Sequence, residues 1–265
     1  MLILPDALSA ARRAADIVAA VVAVKPHAVL GLATGETMRP FYAELVARAQ
    51  AGRLDLSRAT TFNLDEYVGV APDHPASFHA FMRAALLDHV VVAAAHIPRG
   101  DAPDPEAEAA RYDAAIDAAG GVDLQVLGIG RNGHLAFNEP TSSLGSRTRV
   151  KRLAEATRRA NAAAFAPEPA PRRAITMGVA NILEARACVL LATGAPKAEA
   201  VAAAVEGPLG AHCPASALQL HRATTVILDQ AAAGRLRLAD YYETVHPEGG
   251  GAVADGRADG TAPED

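Results

Sequence analysis

At 265 residues with 51% hydrophobic side chains, the chain can bury a substantial core, and one large domain accounts for its length. A formal net charge of −5, with no run of Lys or Arg, excludes a phosphate-backbone track and with it a nucleic-acid partner. Cys188 and Cys213 sit in apolar or proline-flanked contexts without metal-ligand spacing, as expected of free thiols in a cytoplasmic protein. The first residues carry Pro5 and Asp6 and no basic stretch, so no signal peptide is expected, and the apolar run at 18–24 is too short to span a membrane.

Helix-like and strand-like runs alternate along the chain. An alanine-rich helix is expected over 8–24, a strand over 28–32, a helix over 39–51 and a strand over 60–64. Helices follow at 76–87 and 106–118, the second after the turn residues 101–105. The central strand is expected at 123–127, then a helix near 155–165, a strand at 188–192, a helix at 197–205 and a last strand at 224–228. Repeated βα units predict an α/β fold, a doubly wound and mostly parallel sheet with helices on both faces. Residues 1–245 read as one domain. The proline-rich stretch 164–173 is either a surface loop or part of a movable lid near 153–175. Residues 246–265, rich in Gly, Ala and Asp, read as a disordered tail.

Three strand ends gather the chemistry. Residues 128–140, Gly128-Ile-Gly-Arg-Asn-Gly-His-Leu-Ala-Phe-Asn-Glu-Pro140, deliver Asn132, His134 and Glu139 in one loop. His134 can exchange a proton near neutral pH, and Glu139 is close enough in sequence to orient it. Such loops at strand C-terminal ends are where α/β proteins collect ligands. The first strand ends in Gly31-Leu-Ala-Thr-Gly-Glu-Thr37, whose backbone N–H groups and following helix suit an anion. The second ends in Asp65 and Glu66, where a carboxylate can serve as a base or merely cap a loop. Lys197 falls in the first turn of a helix, where a cation opposes the dipole, so anion binding explains it better than helix stability.

With these residues in view, the chain resembles the glucosamine-6-phosphate deaminase (isomerase) family from about Ala28 to Tyr242. The motifs occur in order: 31–35, Thr61-Phe-Asn-Leu-Asp-Glu-Tyr-Val-Gly69, the loop at 128–140, and Ser146-Arg-Thr-Arg-Val-Lys151. The resemblance implies an enzyme that converts glucosamine 6-phosphate and water to fructose 6-phosphate and ammonia, with no metal or redox cofactor. It implies that Asp65 moves the C2 proton to C1, that His134 opens the sugar ring, and that Glu139 holds the imidazole while Asn132 tunes it. Thr34, Gly35, Thr37 and Lys197 would bind the phosphate. Ser142, Ser143, Arg149 and Lys151 resemble an allosteric site found between subunits of some hexameric relatives, which leaves room for a homo-oligomer here.

Two positions depart from the family pattern. Ala163 stands where the lid of familiar members carries a phosphate-binding arginine, and Glu36 stands where Gly or Ser is usual. Either Glu36 points to solvent and Arg158, Arg159, Arg172 or Arg173 replaces the lost arginine, or the sugar lacks or replaces the 6-phosphate. Two rivals remain in view: a sugar-phosphate lactonase on a similar fold, which would not need the Asp65 motif, and a non-catalytic sugar-phosphate sensor.

Overall fold

Residues 1–246 are described by a computed structural model. In chain order the elements are β1 (Leu2–Leu4), α1 (Ala7–Val24), β2 (Val29–Leu32), α2 (Met38–Gln50), β3 (Thr60–Asn63), β4 (Asp65–Tyr67), α3 (Phe78–Met82), β5 (Ala94–His96), α4 (Pro105–Ala118) and β6 (Leu124–Leu127). There follow β7 (Arg149–Arg152), α5 (Glu155–Phe165), β8 (Arg173–Thr176), α6 (Val179–Leu183), β9 (Ala187–Ala192), α7 (Ala198–Val205), β10 (Thr224–Asp229), α8 (Gln230–Ala233) and α9 (Ala239–Val245).

Seven strands form one sheet in the order β1-β10-β9-β6-β2-β3-β5, every pairing parallel. All residues of β2 and β6 are buried, as a parallel sheet covered on both faces requires. The α1 helix presents Ala10, Ala11, Ala14, Ala15, Val18 and Val22 to this core, and its N-terminus is capped by the Asp6 carboxylate accepting from Ser9 N–H at 2.7 Å. Residues beyond β2 build outward through β3 and β5, whereas those beyond β6 build the other way through β9 and β10. The strand order therefore reverses between β2 and β6, and a crevice opens at their C-terminal ends.

A second, three-stranded antiparallel sheet, β4-β8-β7, has no counterpart in the expected elements. After Asn63 the chain leaves the large sheet, and Asp65 begins the small one opposite Thr176. A small apolar cluster supports it: Tyr67, Val70, Phe137, Leu153, Phe165, Ala170 and Ala174. Tyr67 packs its ring 5.3 Å from Phe137 and 5.0 Å from Phe165.

The mostly parallel α/β architecture is as expected, with local corrections. The sheet starts at Leu2, well before Ala28, because β1 pairs with β10. The helix expected over 76–87 is α3, capped by Ser77, continued by a π-helical turn at Arg83–Leu87. Lys197 closes a 3-10 turn, Ala195–Lys197, just ahead of α7. Cys188 and Cys213 are free and buried. Among the described residues, no helix is long and apolar enough to cross a membrane. The tail expected beyond His246 lies outside the described residues.

Candidate active site

The loop after β6 owes its shape to two glycines and a buried anchor, Asn138. A Cβ on Gly130 would lie 2.2 Å from the His134 imidazole, so only glycine lets the ring rest against the backbone there. Gly133 has φ 81°, and its carbonyl accepts from Ala215 N–H. The Asn138 amide donates to the carbonyls of Leu135 at 3.0 Å and Met177 at 2.8 Å, pinning the loop to the β8 end. Ala136 is held at φ 52°, an uncommon conformation for a residue with a side chain.

Asn132 lies between His134 and Glu139. Its Nδ2 donates to Glu139 Oε2 at 2.7 Å, and its Oδ1 is 2.6 Å from His134 Nδ1. The carboxylate can only accept, so it fixes which way the amide faces. The amide oxygen can only accept as well, so it draws the proton to Nδ1 and leaves Nε2 as the basic nitrogen of the neutral ring. Direct contact is weaker: His134 Nδ1 is 3.5 Å from Glu139 Oε2. Thr157 Oγ1, from α5, donates to Glu139 Oε1. Burial alone would raise the Glu139 pKa, but the hydrogen bonds from His134, Thr157 and Asn132 outweigh it and bring the value to about 2.

Asp65 is prepared in the opposite sense. It is 6% exposed, and neither carboxylate oxygen accepts a hydrogen bond from a described residue. Burial, with the neighbouring Glu66 charge, pushes its pKa well above the ordinary carboxylate range. Glu66, adjacent in sequence, is fully buried and does structural work. It accepts from the backbone N–H groups of Tyr67, Phe78 and His79 and from the His79 ring, so it caps α3. Of the two carboxylates, Glu66 is the cap, and Asp65 is left without a donor among the described residues. Thr176 joins the halves of the site: it pairs with Asp65 across β4 and β8, and its Oγ1 accepts from Phe137 N–H at 3.2 Å.

The anion loop lies at the same edge. Gly35 has φ +110°, and among the described residues the backbone N–H groups at 34–37 donate to no protein acceptor. Thr37 precedes α2 without a side-chain cap, so Thr34, Gly35 and Thr37 frame an uncapped helix N-terminus. Lys197 Nζ reaches over from the β9 end to donate to the Ile129 carbonyl at 2.6 Å. Its pKa is lowered by burial and by the nearby Arg131 guanidinium. Arg131 forms no ion pair among the described residues, and no motif in the sequence marks it as a ligand. Its only signal there was its place between Gly130 and Asn132.

Glu36 is 85% exposed and pairs with Arg39 at 2.9 Å, so its charge is met by solvent and a guanidinium. Ala163 is exposed on α5. Three of the four arginines expected to compensate for it are engaged elsewhere: Arg158 and Arg159 on Glu155, and Arg173 beside Glu106 at 3.6 Å. Of the residues resembling an allosteric site, Arg149 and Lys151 alternate along β7 and so share one face. Burial lowers the Arg149 pKa. Ser142 is buried with its Oγ unpartnered among the described residues, whereas Ser143 Oγ accepts from Gly145 N–H.

A crevice at a strand-order reversal that holds a hydrogen-bonded imidazole, a buried carboxylate without a donor and an uncapped helix N-terminus has the groups of an α/β enzyme site. The chain belongs to the family described as glucosamine-6-phosphate isomerases/6-phosphogluconolactonase, which matches residues 6–227. It is 54% identical over 227 residues to a glucosamine-6-phosphate deaminase of Hahella chejuensis, spanning 84% of this chain and 87% of that one. A solved monomeric glucosamine-6-phosphate deaminase superposes with a TM-score of 0.85 at 42% identity, covering 89% of this chain and all of the other. A 6-phosphogluconolactonase from Leishmania guyanensis shares the fold alone, with a TM-score of 0.71 at 21% identity over 87% of this chain and 96% of its own.

Proposed function

We propose that this protein converts glucosamine 6-phosphate and water to fructose 6-phosphate and ammonia. The observation that carries the reading is Asp65: a buried carboxylate with raised basicity that no other described group engages. A carboxylate left in that state costs stability and suits a base that works near neutral pH.

In the proposed reaction, His134 Nε2 exchanges protons at the ring oxygen and opens the sugar to its aldehyde. Asp65 then takes the C2 proton, giving an enolamine, and returns that proton to C1. The resulting C2 imine is hydrolysed by water, releasing ammonia and leaving the C2 ketone. Asn132 and Glu139 hold the imidazole in the tautomer this needs. Phosphate binding falls to the N–H groups at 34–37, Thr34, Thr37 and Lys197, with Arg131 as a second cation. The exposed, paired Glu36 is compatible with a phosphorylated sugar, since its charge is met by Arg39 and by solvent. The two free buried thiols support a cytoplasmic setting. Ser142, Ser143, Arg149 and Lys151 remain candidates for an effector site, and a homo-oligomer is one assembly in which they would serve.

The test is ammonia release by the purified chain from glucosamine 6-phosphate and from glucosamine, beside acid release from a 6-phosphogluconolactone. Rapid release from the first alone is expected. Turnover of the lactone, or of glucosamine in preference to its phosphate, would overturn the reading.

A further inference from the structure

The α5 helix is fastened at its two ends by very different contacts. Its only buried side chains are Thr157 in the first turn and Phe165 at the last position. Phe165 enters the aromatic cluster, stacking on His74 at 5.6 Å and meeting Tyr67 edge-on. Thr157 instead gives its hydroxyl to Glu139. The remaining side chains between them are largely exposed, and the Arg158 and Arg159 ion pairs close on Glu155 of the same helix. One end of the helix therefore rests on a general apolar contact, and the other on the carboxylate that orients the relay.

The two oxygens of Glu139 are divided between these structures. Oε2 receives Asn132 and faces His134, whereas Oε1 receives Thr157. Glu139 is 6% exposed, so an Oε1 deprived of its donor would be left buried and unpaired. Such an oxygen turns toward another donor or takes up a proton, and either change disturbs the amide that sets the His134 tautomer.

We infer that Thr157 is a positioning residue, a latch by which docking of α5 completes the Glu139–Asn132–His134 relay. When α5 is seated, the carboxylate is charged and fixed; when it lifts, Oε1 loses its donor and the relay loosens. His134 is the titratable group that faces Glu139, and Asn132 and Thr157 are its neutral donors. The activity readout rests on the deaminase reading, but the coupling between helix and carboxylate does not.

The experiment compares the wild-type chain with Thr157→Val, Thr157→Ser and Glu139→Ala. Amide hydrogen exchange over residues 155–165 should quicken about 10-fold in Thr157→Val, as expected when one charge-assisted bond is lost. Glu139→Ala should quicken it comparably, and the two changes together should do no more than either alone. In ammonia release from glucosamine 6-phosphate, Thr157→Val should lower kcat more than it raises KM. It should also raise the pH at which the Glu139 carboxyl takes up its proton by roughly one to two units, read by carbon NMR of that side chain, because the carboxylate loses a donor that favours its charged form. Thr157→Ser should keep wild-type behaviour in both assays. Unchanged exchange and an unmoved Glu139 titration in Thr157→Val would overturn the latch, as would a serine variant as impaired as the valine one. Should the wild type release no ammonia, the proposed function fails, and the exchange data alone decide the latch.

Discussion

Asn132 donates its amide to Glu139 across 2.7 Å, and through that bond a neutral side chain carries the carboxylate's influence to His134. The amide sets the ring's orientation, and the carboxylate behind it lies 3.5 Å from the same imidazole nitrogen. A ring held this way keeps its proton at Nδ1 and offers Nε2 to the substrate.

Asn132→Leu should therefore lower kcat by about 100-fold, since the amide sets the tautomer on which proton exchange depends. Substrates presented already in open-chain form should lose far less. Steady-state assays with cyclic and open-chain sugar phosphate separate the two cases. Equal losses would place Asn132 outside ring opening.

Asp65→Asn should abolish turnover by roughly 10²- to 10⁴-fold with KM little changed. It should also raise the melting temperature at neutral pH. A carboxyl whose folded pKa lies above its unfolded value opposes folding once the pH exceeds that unfolded value. Removing the charge relieves this, and calorimetry at pH 5 and pH 7 should show a larger gain at the higher pH. The same raised pKa places the acid limb of activity above the usual carboxylate range, whereas Glu139, held at about 2, stays charged there.

Lys197→Ala should raise KM for glucosamine 6-phosphate by about 10- to 100-fold, because a charge-assisted bond contributes roughly 1.5 to 3 kcal/mol. Arg131→Ala should give a smaller increase, since Arg131 is exposed. Ala163→Arg should tighten binding by adding a cation on α5, while Glu36→Gly should matter little because that charge already meets Arg39. A large gain from Glu36→Gly would show the carboxylate reaching the phosphate.

Ala136→Gly should stabilise the protein modestly. A left-handed conformation costs an L-residue roughly 1 to 2 kcal/mol, against about 0.5 to 1 kcal/mol for the added freedom of glycine in the unfolded chain. The net gain of about 0.5 to 1 kcal/mol should raise the melting temperature by roughly 1 to 3 °C in thermal unfolding.

The long apolar strands and the glycine-rich loop were legible in the sequence because their signals are local. Val29–Leu32 and Leu124–Leu127 read as buried strands from composition alone. The small sheet was not legible: β4 and β7 read Asp-Glu-Tyr and Arg-Val-Lys-Arg, and only tertiary pairing makes strands of them. Asp65 and Glu66 were equivalent in sequence. They part company because His79, thirteen residues on, supplies two of the donors that bind the Glu66 carboxylate. Thr157 lies eighteen residues from Glu139 in an unremarkable helix, with nothing nearby in sequence to mark it. Likewise, the Lys197 contact with the Ile129 carbonyl spans 68 residues and appears only once β6 and β9 are neighbours.

The pairing of Leu2–Leu4 with Thr224–Asp229 bears on how the molecule is made. A ribosome releases the first strand long before its partner exists, so those three residues wait, unpaired, while the rest of the sheet assembles around β6. Closing that edge is a late, long-range event that adds few residues to a nearly finished core. The N-terminal strand should accordingly be the first part of the sheet to come loose under mild denaturant, while the crevice at β2 and β6 stays intact.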